Sequence, residues 1–250
     1  MAVTRPRPAS VDAVEEPDAV LLEFARTTYE AAAMTSADPV DPNLASMLSN
    51  CTVSRSWAEQ DRGPYHRDAQ PVRRDITEDR DGVSLQLGIR LAEDNGRPVA
   101  DAAIEVWQCD ALGRYSGFPP ADDSAVVTAV TAPRAAYLPG ETFLRGTQRT
   151  DADGMAEFHT IYPGWYPGRT VHIHLIVAAD GHVRISQLYL PEPVNHDVLA
   201  RPPYAHRPGR DTTNATDTIF PTGGDAAVVD VQPVGDGYRA ALCLVLPSGP

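Results

Sequence analysis

Residues 170–178 read Thr-Val-His-Ile-His-Leu-Ile-Val-Ala, and this stretch limits the possible folds more than any other. Val171, Ile173, Leu175 and Val177 alternate with Thr170, His172, His174 and Ile176. Alternation with period two marks a strand, because successive side chains point to opposite faces of a sheet. One face is therefore apolar core, and the other carries two imidazoles. The same period governs residues 83–91, where Val83, Leu85, Leu87, Ile89 and Leu91 are all apolar. Further strands are expected at 103–108, 155–161, 184–190, 226–231 and 238–246. Turn signals such as Asp94-Asn95-Gly96 and Asp151-Ala152-Asp153-Gly154 fall between them. Many short strands with little helix predict an all-β fold, an antiparallel β-sandwich.

One helix is expected at 18–34, capped by Asp18, with Leu21, Phe24, Ala25 and Thr28 at helical spacing and Pro39 and Pro42 ending it. It would pack on the core or supply a homodimer contact. The chain thus divides into an arm and helix at 1–50 and one sandwich domain at 51–250. Residues 116–140 and 191–218 lack regular pattern, and loops of that length are suited to wall an active site.

His172 and His174 project from one face of their strand, a few ångströms apart. Buried imidazoles need polar partners, and histidine is the commonest metal ligand. The strand itself offers no carboxylate to complete a zinc site or a ferrous facial triad. Just upstream lies Tyr162-Pro163-Gly164-Trp165-Tyr166-Pro167-Gly168-Arg169. Phenolate is a hard anionic ligand suited to a ferric ion. Two phenolates, two neutral imidazoles and a hydroxide would neutralise that ion, making it tolerable in a half-buried cavity.

The segment 160–174, with Tyr162-Pro163-Gly164-Trp165-Tyr166 leading into His172-Ile173-His174, resembles the metal-binding signature of the intradiol ring-cleavage dioxygenases. Ile104-Glu105-Val106-Trp107-Gln108-Cys109-Asp110, continuing to Gly113-Arg114-Tyr115-Ser116, resembles the family's other signature. Phe143-Leu144-Arg145-Gly146, Gly63-Pro64-Tyr65 and Asp75-Ile76 fit the same family, so the likeness runs over roughly 51–190. It implies non-haem Fe(III) held by Tyr115, Tyr166, His172 and His174. It implies Arg169, Tyr166 and Gln187 as catalytic residues, and Tyr65, Trp107, Arg169 and Gln187 around the substrate. The implied reaction inserts both atoms of O2 into a small catechol-type molecule. The ring is cleaved between its two hydroxylated carbons to a muconate-type diacid. The five residues between Tyr166 and His172 make a compact loop like that of the secreted branch of the family.

Other readings stay open at the level of sequence. One is a sandwich module that binds without catalysing. Another is a zinc hydrolase using His172, His174 and a carboxylate such as Asp197 or Glu192. A third is a biosynthetic dioxygenase acting on a larger decorated catechol. A net charge of −13 argues against nucleic acid and anionic membrane as partners. No apolar run approaches a bilayer span. Arg5 and Arg7 are not followed by an apolar segment, so a cytoplasmic chain is expected, with secretion as the alternative implied by the branch resemblance. Cys51, Cys109 and Cys243 are far apart in sequence; spacing allows one disulfide with a free thiol or three free thiols, and the latter is the preferred expectation for such a chain.

Overall fold

The computed structural model describes residues 39–50, 53–54, 57–67, 70–119 and 140–246. The helix expected at 18–34 and most of the loop at 116–140 lie outside them. Two sheets face each other. The first has the order β1 (Val53–Ser54), β9 (Gly237–Leu246), β2 (Ser84–Glu93), β5 (Met155–Ile161), with β8 (Asp230–Val234) pairing β9. The second has the order β4 (Arg145–Arg149), β3 (Ala103–Trp107), β6 (His172–Ala179), β7 (His182–Tyr189), antiparallel throughout.

The expected sandwich forms, with one departure from antiparallel order: β9 runs parallel to β1 and β2. Strands so far apart in the chain are not bound by hairpin geometry, so either direction is open to them. The core lies between the sheets. Leu85, Leu87, Ile89 and Leu91 of β2, Phe158 of β5 and Leu242 and Leu244 of β9 meet Ile104, Val106, Ile173, Leu175 and Leu188 of the second sheet. Each such side chain contributes about 1.5–3 kcal/mol by leaving water.

Several elements differ from the expected ones. Pro42 begins a helix that was not expected, α1 (Pro42–Asn50). Asp41 caps it, its Oδ1 accepting from the backbone N of Asn43 (2.9 Å) and Leu44 (3.2 Å). Proline is well suited to the first helical position, where its missing N–H has no partner to lose. A second helix, α2 (Glu192–Leu199), occupies part of the expected loop at 191–218. Its residues Asn195 and Val198 are buried, too few apolar positions to show as a periodic pattern. Strand β4 reads Arg-Gly-Thr-Gln-Arg, and no apolar alternation betrays it. The last hairpin begins at Asp230, later than expected, after a 3-10 turn at Gly224–Ala227.

Cys243 is disulfide-bonded, which corrects the expectation of three free thiols, while Cys109 is free and buried. Among the described residues no helix is long and apolar enough to cross a membrane.

All residues of β3 and β6 are buried, so the second sheet is covered on its outer face as well. The cover carries aromatic side chains: Tyr65, Tyr115, Phe118 and Tyr166 pack with Trp107, Ile176 and Ile185. The second sheet is thus enclosed between the sandwich core and a layer of loops, and the candidate site lies under that layer.

Candidate metal centre

Strand β6 presents His172 and His174 to the loop layer, while Ile173 and Leu175 join the sandwich core. The two Nε2 atoms are 3.1 Å apart. His172 Nδ1–H donates to the carbonyl of Thr170 at 2.6 Å, which leaves Nε2 with its lone pair free. The Tyr166 hydroxyl is 3.2 Å from the same Nε2. The Tyr115 ring lies 5.7 Å from that of Tyr166 and 6.0 Å from that of His174, centroid to centroid. Two tyrosines and two histidines therefore converge, as the resemblance implied.

Two glycines let the tyrosine-bearing loops meet. A Cβ on Gly164, two residues before Tyr166, would lie 2.4 Å from the carbonyl oxygen of Asp110. A Cβ on Gly113, two residues before Tyr115, would lie 2.2 Å from the carbonyl oxygen of Trp165, at a φ of +83°. The two turns are in backbone contact, with Gly164 N donating to Asp110 O at 3.2 Å. The Asp110 carboxylate closes its own turn, accepting from Leu112 N and Arg114 N, each at 3.0 Å. Arg145, fully buried on β4, fixes the residue after Tyr115 by donating to Ser116 Oγ (2.7 Å) and Ser116 O (3.0 Å).

Tyr115 Oη is buried and has no hydrogen-bond partner, a costly state for a hydroxyl unless something else takes it. Burial pushes the phenols of both Tyr115 and Tyr166 above the ordinary range. Burial, with the Arg169 charge nearby, pushes His172 down to about 3, and burial with its neighbour His172 holds His174 well below the usual imidazole value. The imidazoles are thus neutral and ready to ligate, and the phenols ionise only against a positive charge. Among the described residues no cluster of three His, Cys, Asp or Glu could hold a metal, so a donor set built from those residues at this place includes the tyrosines. The carboxylates of the zinc reading are engaged elsewhere. Glu192 is bound in bidentate fashion by Arg210 (2.8 Å twice), and Asp197 accepts from Tyr238 Oη (2.6 Å) and pairs with Arg201. The four residues present fit a hard cation.

The remaining predicted residues surround this centre. Trp107 lies flat on His174, ring centroids 4.7 Å apart. Tyr65 stacks on Tyr115 at 4.5 Å and meets Tyr166 edge-on at 5.8 Å. Arg169 donates from Nε to Asp217 Oδ2 (2.9 Å) and from Nη2 to Gln187 Oε1 (2.5 Å). Gln187 stands opposite His174 in the β6–β7 ladder and donates to the carbonyl of Asp61 at 3.1 Å. Tyr162 is turned away, donating to Asn195 Oδ1 at 2.7 Å.

Some members of this network were not anticipated. Asp217 and Gln60 lie in loops with no pattern around them. Tyr189, which donates to Gln60 Oε1 at 3.0 Å, could have been found, since period two from Gln187 puts it on the same face. The His66 side chain is buried against Glu105 at 2.7 Å and abuts Trp107. Glu105, two residues before Trp107 on β3, carried that signal.

A family model described as dioxygenase matches residues 58–202, more than half of the chain. The solved intradiol ring-cleavage dioxygenase from Tetranychus urticae is similar at a TM-score of 0.68 and 31% identity, over 78% of this chain and 94% of that one. The chain belongs to the intradiol dioxygenase family. Within this family it is 27% identical over 154 residues to the chlorocatechol 1,2-dioxygenase of Rhodococcus opacus, 51% of this chain and 54% of that protein. It is 33% identical over 120 residues to the protocatechuate 3,4-dioxygenase beta chain of Burkholderia cepacia, 44% of this chain and 46% of that one. The chain thus aligns with about half the length of these two relatives.

Proposed function

We propose that the chain is a non-haem iron(III) intradiol dioxygenase. It would insert both atoms of O2 into a catechol-type substrate and open the ring between the hydroxylated carbons to a muconate-type diacid. The observation that carries this reading is the convergence of Tyr115, Tyr166, His172 and His174 in one buried site of the family's fold. These four residues would hold the ion, which when bound neutralises a catecholate and makes its ring reactive toward O2. Tyr166, whose hydroxyl lies beside His172, would accept a catechol proton at Oη. Arg169, fixed by Asp217 and Gln187, offers a preorganised positive charge where negative charge develops on the substrate. Tyr65, stacked on Tyr115, gives an aromatic edge to the substrate's side of the site. The loop layer excludes water and so strengthens each of these interactions. The disulfide at Cys243 favours the secreted alternative over a cytoplasmic location, because disulfides persist in oxidising compartments.

The test is a visible spectrum of the iron-loaded, aerobic protein before and after adding catechol, with O2 uptake followed alongside. A broad tyrosinate-to-iron band that shifts on adding catechol, with one O2 consumed per catechol and a muconate formed, is the expected result. A protein that stays colourless after iron loading would overturn the iron reading. A coloured protein that binds catechols without consuming O2 would leave a binding module.

A further inference from the structure

We infer that Asp217 is a positioning residue of this site, orienting Arg169 directly and the His172 ring through Thr170. The inference rests on the function proposed above. Asp217 is only 3% exposed, and both of its oxygens are fully used. Oδ2 accepts from Arg169 Nε at 2.9 Å and from Thr170 N at 2.8 Å. Oδ1 accepts from Ile219 N at 2.7 Å and Phe220 N at 2.9 Å. Four donors point at one group, which only an ionised carboxylate satisfies. An asparagine there would turn an amide N–H toward donors.

The consequence reaches two functional side chains. With Nε on Asp217 and Nη2 on Gln187, the guanidinium plane of Arg169 is fixed at two points. Thr170 gives its amide to Asp217 and its carbonyl to His172 Nδ1–H at 2.6 Å. The carbonyl that sets the His172 tautomer therefore belongs to the residue whose own N–H is anchored by Asp217. The same segment holds the neighbouring backbone too. Gly168 N donates to the Asp211 carboxylate at 3.1 Å, and Thr170 Oγ1 donates to Asn214 Oδ1 at 2.6 Å. Arg210 donates to Thr170 Oγ1 at 2.9 Å while gripping Glu192. Residues 210–220 thus act as a clamp over the turn that joins Tyr166 to His172, and Asp217 is the point where the clamp meets Arg169.

A double-mutant cycle on the iron-loaded full chain tests this, with catechol as the probe and four proteins: wild type, Asp217→Asn, Arg169→Ala and both together. Asp217→Asn is expected to keep the tyrosinate band, to lower kcat roughly 10- to 100-fold and to change KM by less than about threefold, since misplaced electrostatics cost turnover more than binding. In the Arg169→Ala background the same change is expected to lower kcat by a clearly smaller factor, because one of the two groups it positions is gone and only the path through Thr170 remains. Iron loss to a chelator is expected to quicken in Asp217→Asn and not in Arg169→Ala, reporting the path through Thr170 to His172. Should Asp217→Asn not fold, Asp217→Glu, which keeps the charge and shifts its position, takes its place in the same cycle. An active wild type in which the Asp217 substitution costs as much without Arg169 as with it would overturn the inference alone. A wild type that holds no iron and turns over no catechol would overturn the function proposal and this inference with it.

Discussion

Trp107 lies parallel to His174, 3° between planes and 4.7 Å between centroids, and meets the His66 ring, itself paired with Glu105, at 69° and 4.7 Å. The indole sets the orientation of one proposed ligand without offering a donor atom to it. Trp107 is fully buried, so truncation leaves a large void beside the centre. Trp107→Ala is expected to cost about 3–5 kcal/mol of stability and to speed iron loss, while Trp107→Phe retains most of both. Chemical unfolding and a chelator assay measure the two effects. Unchanged iron retention in the alanine variant would mean that the stacking does not position His174.

The two tyrosine loops touch through glycine. Gly164→Ala drives a methyl into two backbone carbonyls, those of Asp110 (2.4 Å) and Ala111 (2.6 Å). We expect a loss of about 1–3 kcal/mol and a weakened tyrosinate band, because backbone yields poorly and Tyr166 moves with it. Gly96→Ala is the control: its φ is +87°, but its Cβ meets nothing within 4 Å. It is expected to cost about 1–2 kcal/mol for the left-handed backbone and to leave the band alone. Equal effects on the band in the two variants would disprove the contact argument.

Tyr115→Phe and Tyr166→Phe each remove a proposed phenolate and are expected to shift or abolish the visible band and to lower turnover at least tenfold, a loss of about 1.4 kcal/mol or more. Tyr162→Phe removes a hydroxyl bonded to Asn195, away from the centre. It should cost about 1 kcal/mol of stability, as lost hydrogen bonds do, and keep the band. A band that survives both of the first two substitutions would remove the tyrosines from the ligand set.

Removing the ion should also show in stability. An ion bound only by the folded chain stabilises it by mass action. Stripping iron with a chelator is therefore expected to bleach the protein and lower its Tm, and restoring iron should reverse both. A Tm that ignores iron would place the metal outside the buried site.

Stability should fall in acid. Burial alone would raise the pKa of Glu157, Glu192 and Asp217. In Glu157 it is outweighed by donors from Asp41 N, Gln86 and His159, in Glu192 by Arg210, and in Asp217 by Arg169 and the Thr170 amide. Each folded value therefore lies below that group's own unfolded value, which is about 4. The unfolded chain then binds more protons as the pH drops, so their contribution is present above about pH 4 and is lost below it. Urea midpoints at pH 6, 4 and 3 should decline in that order. Glu157→Gln should start lower at pH 6 and decline less steeply. A midpoint that does not move between pH 6 and pH 3 would refute the assignment.

Period-two alternation alone determined most of the sandwich. It put His172 and His174 together on one face and Leu85 to Leu91 in the core, because the pleat obliges every second side chain to share a side. The resemblance in 104–116 and 160–174 named the residues that converge. Strand β4 was hidden because its own residues are polar, and helix α2 because eight residues are too short a window for Val194, Val198 and Leu199 to stand out as a period. The disulfide at Cys243 was hidden because spacing in sequence says nothing of proximity in space. The carboxylate on Arg169 was equally illegible: Asp217 is 48 residues away, in a loop with no repeating pattern. A strand's face is a local property of the chain, written in its period. Which loop closes over that face, and which single carboxylate it brings there, is decided only when the whole chain packs.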